Sequence, residues 1–344
     1  MNPSISLALE DALQAGGVPF RREVPLSECG TWRIGGPADL LVEPASCKQM
    51  ATTLRCASEL GVPAVVMGKG SNLLFDDAGL RGLAVRVGRS LGRVTITGTT
   101  VRAEGGVSAS HLARVAGLAG LSGLEHIVGI PGTLGGLIFM NDGSLQQTIG
   151  QAVTEVKAMD RSGALRILRR EDCEFAYRSS RFQREDWVIL EATMALVAGR
   201  HSEIAAEMLQ ILRERRSKFP LTLPNCGSVF KNDPDGYSSF GPPGTIIEDT
   251  GLKGLSAGDA QVSERHADFI VNQGNARAPR RHRRLGRRPR HAPLDAQHDS
   301  ERVASDQRSE HPCHGPARPG HLLRRQRHRR NGRQPLECDG DRTR

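Results

Sequence analysis

Residues 129–136 read GIPGTLGG, and residues 68–74 read GKGSNLL directly after the apolar run AVVM. The first stretch puts four glycines in eight residues, with Pro131 and Thr133 between them. Glycine admits positive φ and leaves backbone N–H groups free to converge on a phosphate. Ser71, Asn72 and Thr133 add hydroxyl and amide groups to the same loops. Either loop alone reads as readily as a tight turn. Neither fits G-x-G-x-x-G with an acidic residue about 20 positions on, nor a loop ending in Lys then Ser/Thr. A dinucleotide held here is therefore held by something other than the usual parallel-sheet geometry.

The flanking text supplies both helices and strands. Ile5 to Ala15 has apolar residues at helical spacing and ends at Gly16-Gly17. DLLVEP (39–44) reads as a strand stopped by proline, and Ser46 can N-cap a helix running to Leu60 with Gly61 as its terminator. PAVVMG (63–68), LAVRV (83–87) and TVRAEGG (100–106) read as strands, and Ser108 can cap a helix presenting Leu112, Val115, Ala116 and Ala119. Further strands are expected at 153–159, 165–168 and 188–197, then an amphipathic helix through Ile204, Met208, Ile211, Leu212 and Phe219, closed by Pro220. LPNCGSVFKNDPDG (223–236) and GPPGTIIEDTGLKG (241–254) read as turn-rich. Helices and strands mix without strict alternation, so the class is α+β.

Composition divides the chain. Of 344 residues with a formal net charge of +9, those from Arg277 onward hold 19 Arg, no Lys and 8 acidic residues, a net of +11. Residues 1–276 are thus close to neutral, at −2, which disfavours a phosphate-tracking surface on the folded part. From 277 on there is no aromatic, no Ile and no Met. Such a stretch cannot bury enough apolar surface to offset its ordering entropy and is expected to be disordered. The seven cysteines (29, 47, 56, 173, 226, 313, 338) form no C-x-x-C pair, giving neither a disulfide framework nor a zinc site. Reduced thiols and a cytoplasmic protein follow. No metal site is expected, since His111, His126, His201 and His266 lack ligand spacing. The N-terminus has no basic n-region, and no apolar run approaches the length of a membrane span.

Two more stretches carry polar chemistry. FAYRSSRF (175–182) interleaves arginines with aromatics and reads as a strand, either solvated or aiming a guanidinium at a carboxylate or phosphate. NCGSVFKN (225–232) sets Ser228 on a glycine turn, outside the G-x-S-x-G pattern of a nucleophile elbow.

In order, residues 31–44 (TWRIGGPADLLVEP), GKGSNLL, GLEHIVGIPGTLGG (123–136), YRSSRF (177–182), CGSVFKN (226–232), IIEDTGLKG (246–254) and AQVSERHADFIVNQGNA (260–276) resemble the UDP-N-acetylenolpyruvoylglucosamine reductase family. The resemblance covers about residues 20–276. It implies a vanillyl-alcohol-oxidase (PCMH)-type FAD-binding fold in two subdomains, residues 21–199 here. An N-terminal helix (1–20) precedes it, an α+β substrate domain (200–276) follows, and the Arg/Pro-rich tail (277–344) comes last.

It implies non-covalent FAD held by Gly68, Lys69, Gly70, Ser71, Asn72 and Leu73 and by Gly129, Ile130, Pro131, Gly132, Thr133, Gly135 and Gly136. It implies reduction of UDP-N-acetylglucosamine enolpyruvate by NADPH, for peptidoglycan synthesis. Arg178 would stabilise the negative charge that develops on the substrate, and Ser228 would donate the proton. The partners are small molecules, with no specific nucleic acid and no membrane, and the chain is expected to be a monomer.

Three departures stand out. Asp142 in Asn141-Asp142-Gly143 replaces the alanine usual in the family. Cys29-Gly30 stands where polar residues are common. After Ala276–Ala278 the family's next helix, strand and catalytic glutamate give way to text of the kind a GC-rich gene yields in a wrong frame. The glutamate role passes to none of Glu301, Glu310 and Glu337, so activity would be impaired. Two other readings compete: a nucleic-acid or polyanion binder working through the Arg-rich tail, which lacks aromatics for stacking on bases, and another flavin oxidase of the same domain type.

Overall fold

Strand Pro37–Val42 (β2) is buried almost without interruption, as befits a strand covered on both faces. The computed structural model describes residues 1–232 and 241–278, and the expected disorder of the tail falls outside them. β2 pairs parallel with Leu80–Arg86 (β4), which pairs parallel with Ala64–Met67 (β3). Phe20–Pro25 (β1) closes the other edge of β2 antiparallel, giving the order β1-β2-β4-β3. Helices Pro3–Ala15 (α1) and Cys47–Glu59 (α2) cover one face, where Leu9, Leu13, Met50 and Leu54 meet Leu40, Val42, Leu83 and Val85. The Ser46 hydroxyl accepts the Gln49 N–H at 3.2 Å and caps α2 as expected. The opposite face buries Leu26, Leu41, Met67 and Phe75.

A second, antiparallel sheet is built from Val94–Thr97 (β5), Thr100–Glu104 (β6), Val188–Ala195, Val153–Met159 and Leu165–Arg169, in that spatial order. Helices Ala109–Leu118 (α3, capped by Ser108) and Leu134–Met140 (α4) pack on it. Met159, Val188 and Leu190 of this sheet join the core under the first, so the two subdomains share apolar packing. The long helix His201–Lys218 lays Ile211, Met208 and Leu212 on the second sheet's core.

Residues 256–272 form a three-stranded sheet, Ser256–Ala257, Ala260–Val262 and Ile270–Asn272, and the helix Pro243–Asp249 lies within the segment read as turn-rich. Trp32 anchors this unit to the first subdomain. Its indole N–H donates to Ile270 O at 2.7 Å, and Asn272 Nδ2 donates to Trp32 O at 2.9 Å. Trp32, Ile34, Cys226 and Ala276 bury one another. The five described cysteines are free, and no described helix is long and apolar enough to cross a membrane.

Candidate functional site

The two glycine loops, 61 residues apart from Gly68 to Gly129, are brought together. GKGSNLL leaves the end of β3, and GIPGTLGG leads into α4. A Cβ on Gly68 would collide with the Thr133 hydroxyl, and one on Gly132 would sit 4.0 Å from Ser71 Oγ. Gly70 holds φ at +62° with its Cα against the Cys29 carbonyl and Gly30, where a side chain has no room. The second loop is pinned by its own bonds. Thr133 Oγ1 caps α4 by accepting the Gly136 N–H at 3.4 Å, Gly129 N donates to Ser110 Oγ at 2.9 Å, and Gly135 N donates to Gly105 O at 2.8 Å. In the first loop no backbone N–H from Lys69 to Asn72 donates to another group among the described residues. A row of free donors on a left-handed glycine turn suits a pyrophosphate. Lys69, at the rim, has its pKa pulled down by partial burial and by the like charge of Arg89.

Arg178 stands on a turn, not a strand. Ala176 and Ser179 exchange backbone hydrogen bonds at 3.0 and 3.2 Å, and Arg178 lies between them at φ +52°. The expected strand at 175–182 is not formed: Arg178 is left-handed within a tight turn closed by Ala176 and Ser179, and Arg181–Glu185 then coils into a short helix. The turn is tied to the end of α4. Buried Asn141, itself left-handed, donates to Ala176 O at 2.9 Å and accepts Gly150 N–H at 3.2 Å. The next residue, Asp142, takes Arg178 Nη1–H and the Gly143 N–H (2.8 Å) on one oxygen, Oδ1.

Two further basic groups surround Asp142. Arg215, on the helix His201–Lys218, lies against Gly129 with its Nε buried and unpartnered. Burial pushes its pKa down, and Asp142 opposes the shift. His126 is 2% exposed, with no hydrogen-bond partner on either ring nitrogen. Burial lowers its pKa, opposed by Glu125 and Asp142. His126 and Arg215 carried no signal in the sequence beyond their residue type.

Ser228 follows Gly227 (φ +82°) and bridges to Phe269. Its hydroxyl lies beside Asp268 and favours the charged carboxylate, which accepts the Phe230 N–H at 2.9 Å on Oδ1. Asp268 is 5% exposed. Burial raises its pKa against the pull of the Phe230 N–H and the Ser228 hydroxyl. Cys226, two residues before Ser228, reaches Gly70 O at 3.5 Å and Leu73 O at 3.4 Å. Ser228 is thus tied to the first loop and Arg178 to the second, and no described hydrogen bond or ion pair joins the two directly. Among the described residues no cluster of His, Cys, Asp and Glu could hold a metal.

The fold and its paired loops define a flavoprotein whose FAD-binding domain is not of the Rossmann type: the FAD binding domain family model matches residues 38–169. A second family model, UDP-N-acetylenolpyruvoylglucosamine reductase, C-terminal domain, matches residues 219–283. The chain is 43% identical over 273 residues to UDP-N-acetylenolpyruvoylglucosamine reductase 1 of Corynebacterium glutamicum, covering 79% of this chain and 82% of that protein. It is 43% identical over 259 residues to reductase 2 of Symbiobacterium thermophilum, covering 75% and 82%. The crystal structure of UDP-N-acetylenolpyruvylglucosamine reductase from Thermus caldophilus superposes with a TM-score of 0.66 at 31% identity, over 76% of this chain and 90% of that one. The chain belongs to the UDP-N-acetylenolpyruvoylglucosamine reductase family.

Proposed function

We propose that this protein reduces UDP-N-acetylglucosamine enolpyruvate to UDP-N-acetylmuramate with NADPH, for peptidoglycan synthesis in the cytoplasm, and that it acts as a monomer on small molecules. The observation that carries the reading is the meeting of the two glycine loops at Gly68 and Thr133, with the N–H groups of Lys69–Asn72 free among the described residues, in a chain of this family.

The residues fit FAD. Gly68, Lys69, Gly70, Ser71, Asn72 and Leu73 would hold its pyrophosphate by backbone donation, and Gly129, Ile130, Pro131, Gly132, Thr133, Gly135 and Gly136 would line the facing wall. When bound, the cofactor supplies the two-electron chemistry linking NADPH to the enolpyruvyl double bond. Hydride arriving at the methylene carbon leaves negative charge on the neighbouring carbon and its carboxylate. Arg178 meets that charge with a guanidinium already held in place, so little reorganisation is needed as it grows. Ser228 then gives its hydroxyl proton to the same neighbouring carbon. Both roles rest on the match of Arg178 and Ser228 to the family motifs and on the ties of each to a cofactor loop. The polyanion-binding alternative rests on the chain from Arg277 onward, of which only Arg277 and Ala278 are described.

The test is direct. The purified full chain should carry FAD and consume NADPH, at a rate lowered by loss of the C-terminal glutamate, only when the enolpyruvyl substrate is present, yielding UDP-N-acetylmuramate by mass spectrometry. A chain that neither carries nor takes up FAD refutes the reading.

A further inference from the structure

The ion pair between Arg178 and Asp142 raises a question that the proposed reaction leaves open, and the answer rests on that reading of Arg178. Their side chains are 35% and 24% exposed, so a ligand can reach both. Asp142 binds Arg178 through Nη1 alone. A guanidinium has five donors, so the Nε–Nη2 edge remains able to grip a carboxylate in bidentate fashion. A substrate carboxylate on that edge would sit beside the Asp142 carboxylate. Two anions sharing one cation repel, and Asp142 also sits within electrostatic reach of Arg215 and His126, the other basic groups here.

We propose that Asp142 is a specificity-setting gate on Arg178: its carboxylate occupies the guanidinium in the empty site, and a ligand carboxylate must bind against it. The gate weakens every ligand that uses Arg178. Free carboxylates and other small anions are rejected, because they bring no further binding energy. A ligand that also brings a nucleotide and a sugar has contacts elsewhere to offset the repulsion, so discrimination is gained at the expense of raw affinity.

Two ligands separate this effect from general electrostatics. UDP-N-acetylglucosamine enolpyruvate carries the carboxylate, and UDP-N-acetylglucosamine is the same molecule without the enolpyruvyl group, the only part that brings a carboxylate. Both would be titrated by calorimetry into the FAD-loaded full chain without NADPH, so that no turnover is needed. Asp142→Asn keeps the size of the side chain and an oxygen for the Gly143 N–H but loses the charge. It should tighten binding of the enolpyruvyl ligand roughly twofold to tenfold, the range of a partly exposed ion pair, and leave UDP-N-acetylglucosamine within about twofold. Asp142→Glu keeps the charge and should stay close to the unaltered chain. Should the Asn variant fold poorly in thermal unfolding, Asp142→Ala serves under the same expectations.

Equal tightening of both ligands would reduce the effect to general charge and overturn the gate. Unchanged or weaker binding of the enolpyruvyl ligand would show that Asp142 does not compete for Arg178, with the same result. In either case the proposed function stands as long as the unaltered chain binds both ligands. Binding of neither ligand to the unaltered chain would sink the functional reading, and the gate with it.

Discussion

Replacing Gly70 with alanine is the sharpest test of the cofactor cradle. Gly70 sits at φ +62°, a conformation that costs an L-residue with a Cβ about 1 kcal/mol or more. The added Cβ would also run into the Cys29 carbonyl and the Gly30 Cα. Both are backbone atoms, and the Thr31 N–H holds that segment by donating to Gly70 O at 3.3 Å, so neither can swing aside as a flexible side chain would. Overpacking of this sort costs roughly 1–3 kcal/mol. Together the two effects come to about 2–4 kcal/mol, relieved most cheaply by flattening the turn and losing the convergence of its N–H groups. If that strain is relieved at the expense of bound FAD, affinity falls roughly 30- to 1000-fold.

The assay is titration of FAD into apoprotein by quenching of flavin fluorescence, beside thermal unfolding of both apoproteins. Gly132→Ala is the control: the nearest atoms to its Cβ are Ile130 Cγ2 and Leu137 Cδ2 at 3.9 Å, so the apoprotein should keep its stability within about 0.5 kcal/mol. If Gly70→Ala bound FAD as tightly as the unaltered chain, the left-handed turn would not be the cradle, and the assignment of Lys69–Leu73 to the pyrophosphate would fall.

Three other outcomes are expected. Ser228→Ala should slow reoxidation of the reduced enzyme by substrate roughly 10²–10⁴-fold while NADPH still reduces the flavin normally; equal slowing of both half-reactions would remove its role as proton donor. Trp32→Ala removes a buried indole and its bond to Ile270 O and should cost roughly 3–5 kcal/mol in chemical unfolding, whereas a loss under about 1 kcal/mol would show that the C-terminal sheet does not hang on this anchor. Asp268 has a folded pKa raised above its ordinary 3.8, so its contribution to stability is full below that value and is lost as pH rises through the folded pKa. Asp268→Asn, which keeps an acceptor for the Phe230 N–H, should therefore shift the melting temperature more favourably at pH 7.5 than at pH 3.5, and an equal shift at both would contradict the raised pKa.

What could be read in the sequence was local. Ser46 and Ser108 announce helices because a hydroxyl before an apolar period satisfies an orphan N–H, and both caps are present. β2 declares itself by the apolar run Leu40–Val42, stopped two residues later at Pro44. Helix α4 was hidden because Gly135 and Gly136 depress helix propensity; it forms all the same, because Thr133 caps it and Leu134, Leu137 and Ile138 are buried. β1 was hidden by its charges, which face solvent at a sheet edge: in FRREVP only Val24 is buried. Both glycine loops could be nominated from composition, but their contact could not, since it depends on two sheets packing through Met159, Val188 and Leu190. Asp142 was visible as a departure from the family pattern. Its partner was not, because the left-handed residues 141 and 178 that aim the two side chains are both non-glycine and leave no mark in the sequence.

The same logic explains why the docking of the C-terminal unit and the shape of the cofactor loop cannot be separated. The Gly70 carbonyl accepts the Thr31 N–H and lies 3.5 Å from the Cys226 thiol. Thr31 precedes Trp32, the anchor of the C-terminal sheet, and Cys226 precedes the turn that carries Ser228. The Thr31 hydroxyl and Cys226 Sγ are themselves 3.3 Å apart, and burial raises the Cys226 thiol's pKa, keeping it a neutral packing group. One carbonyl, one hydroxyl and one thiol therefore join the Gly70 loop, the Trp32 anchor and the Ser228 turn. Residues in one such network couple energetically, so a shift in the loop is passed to the serine over a path of three short contacts. In this fold the Ser228 turn is positioned through the Gly70 loop, so on the proposed roles the serine's reach to substrate and the loop's hold on FAD stand or fall together.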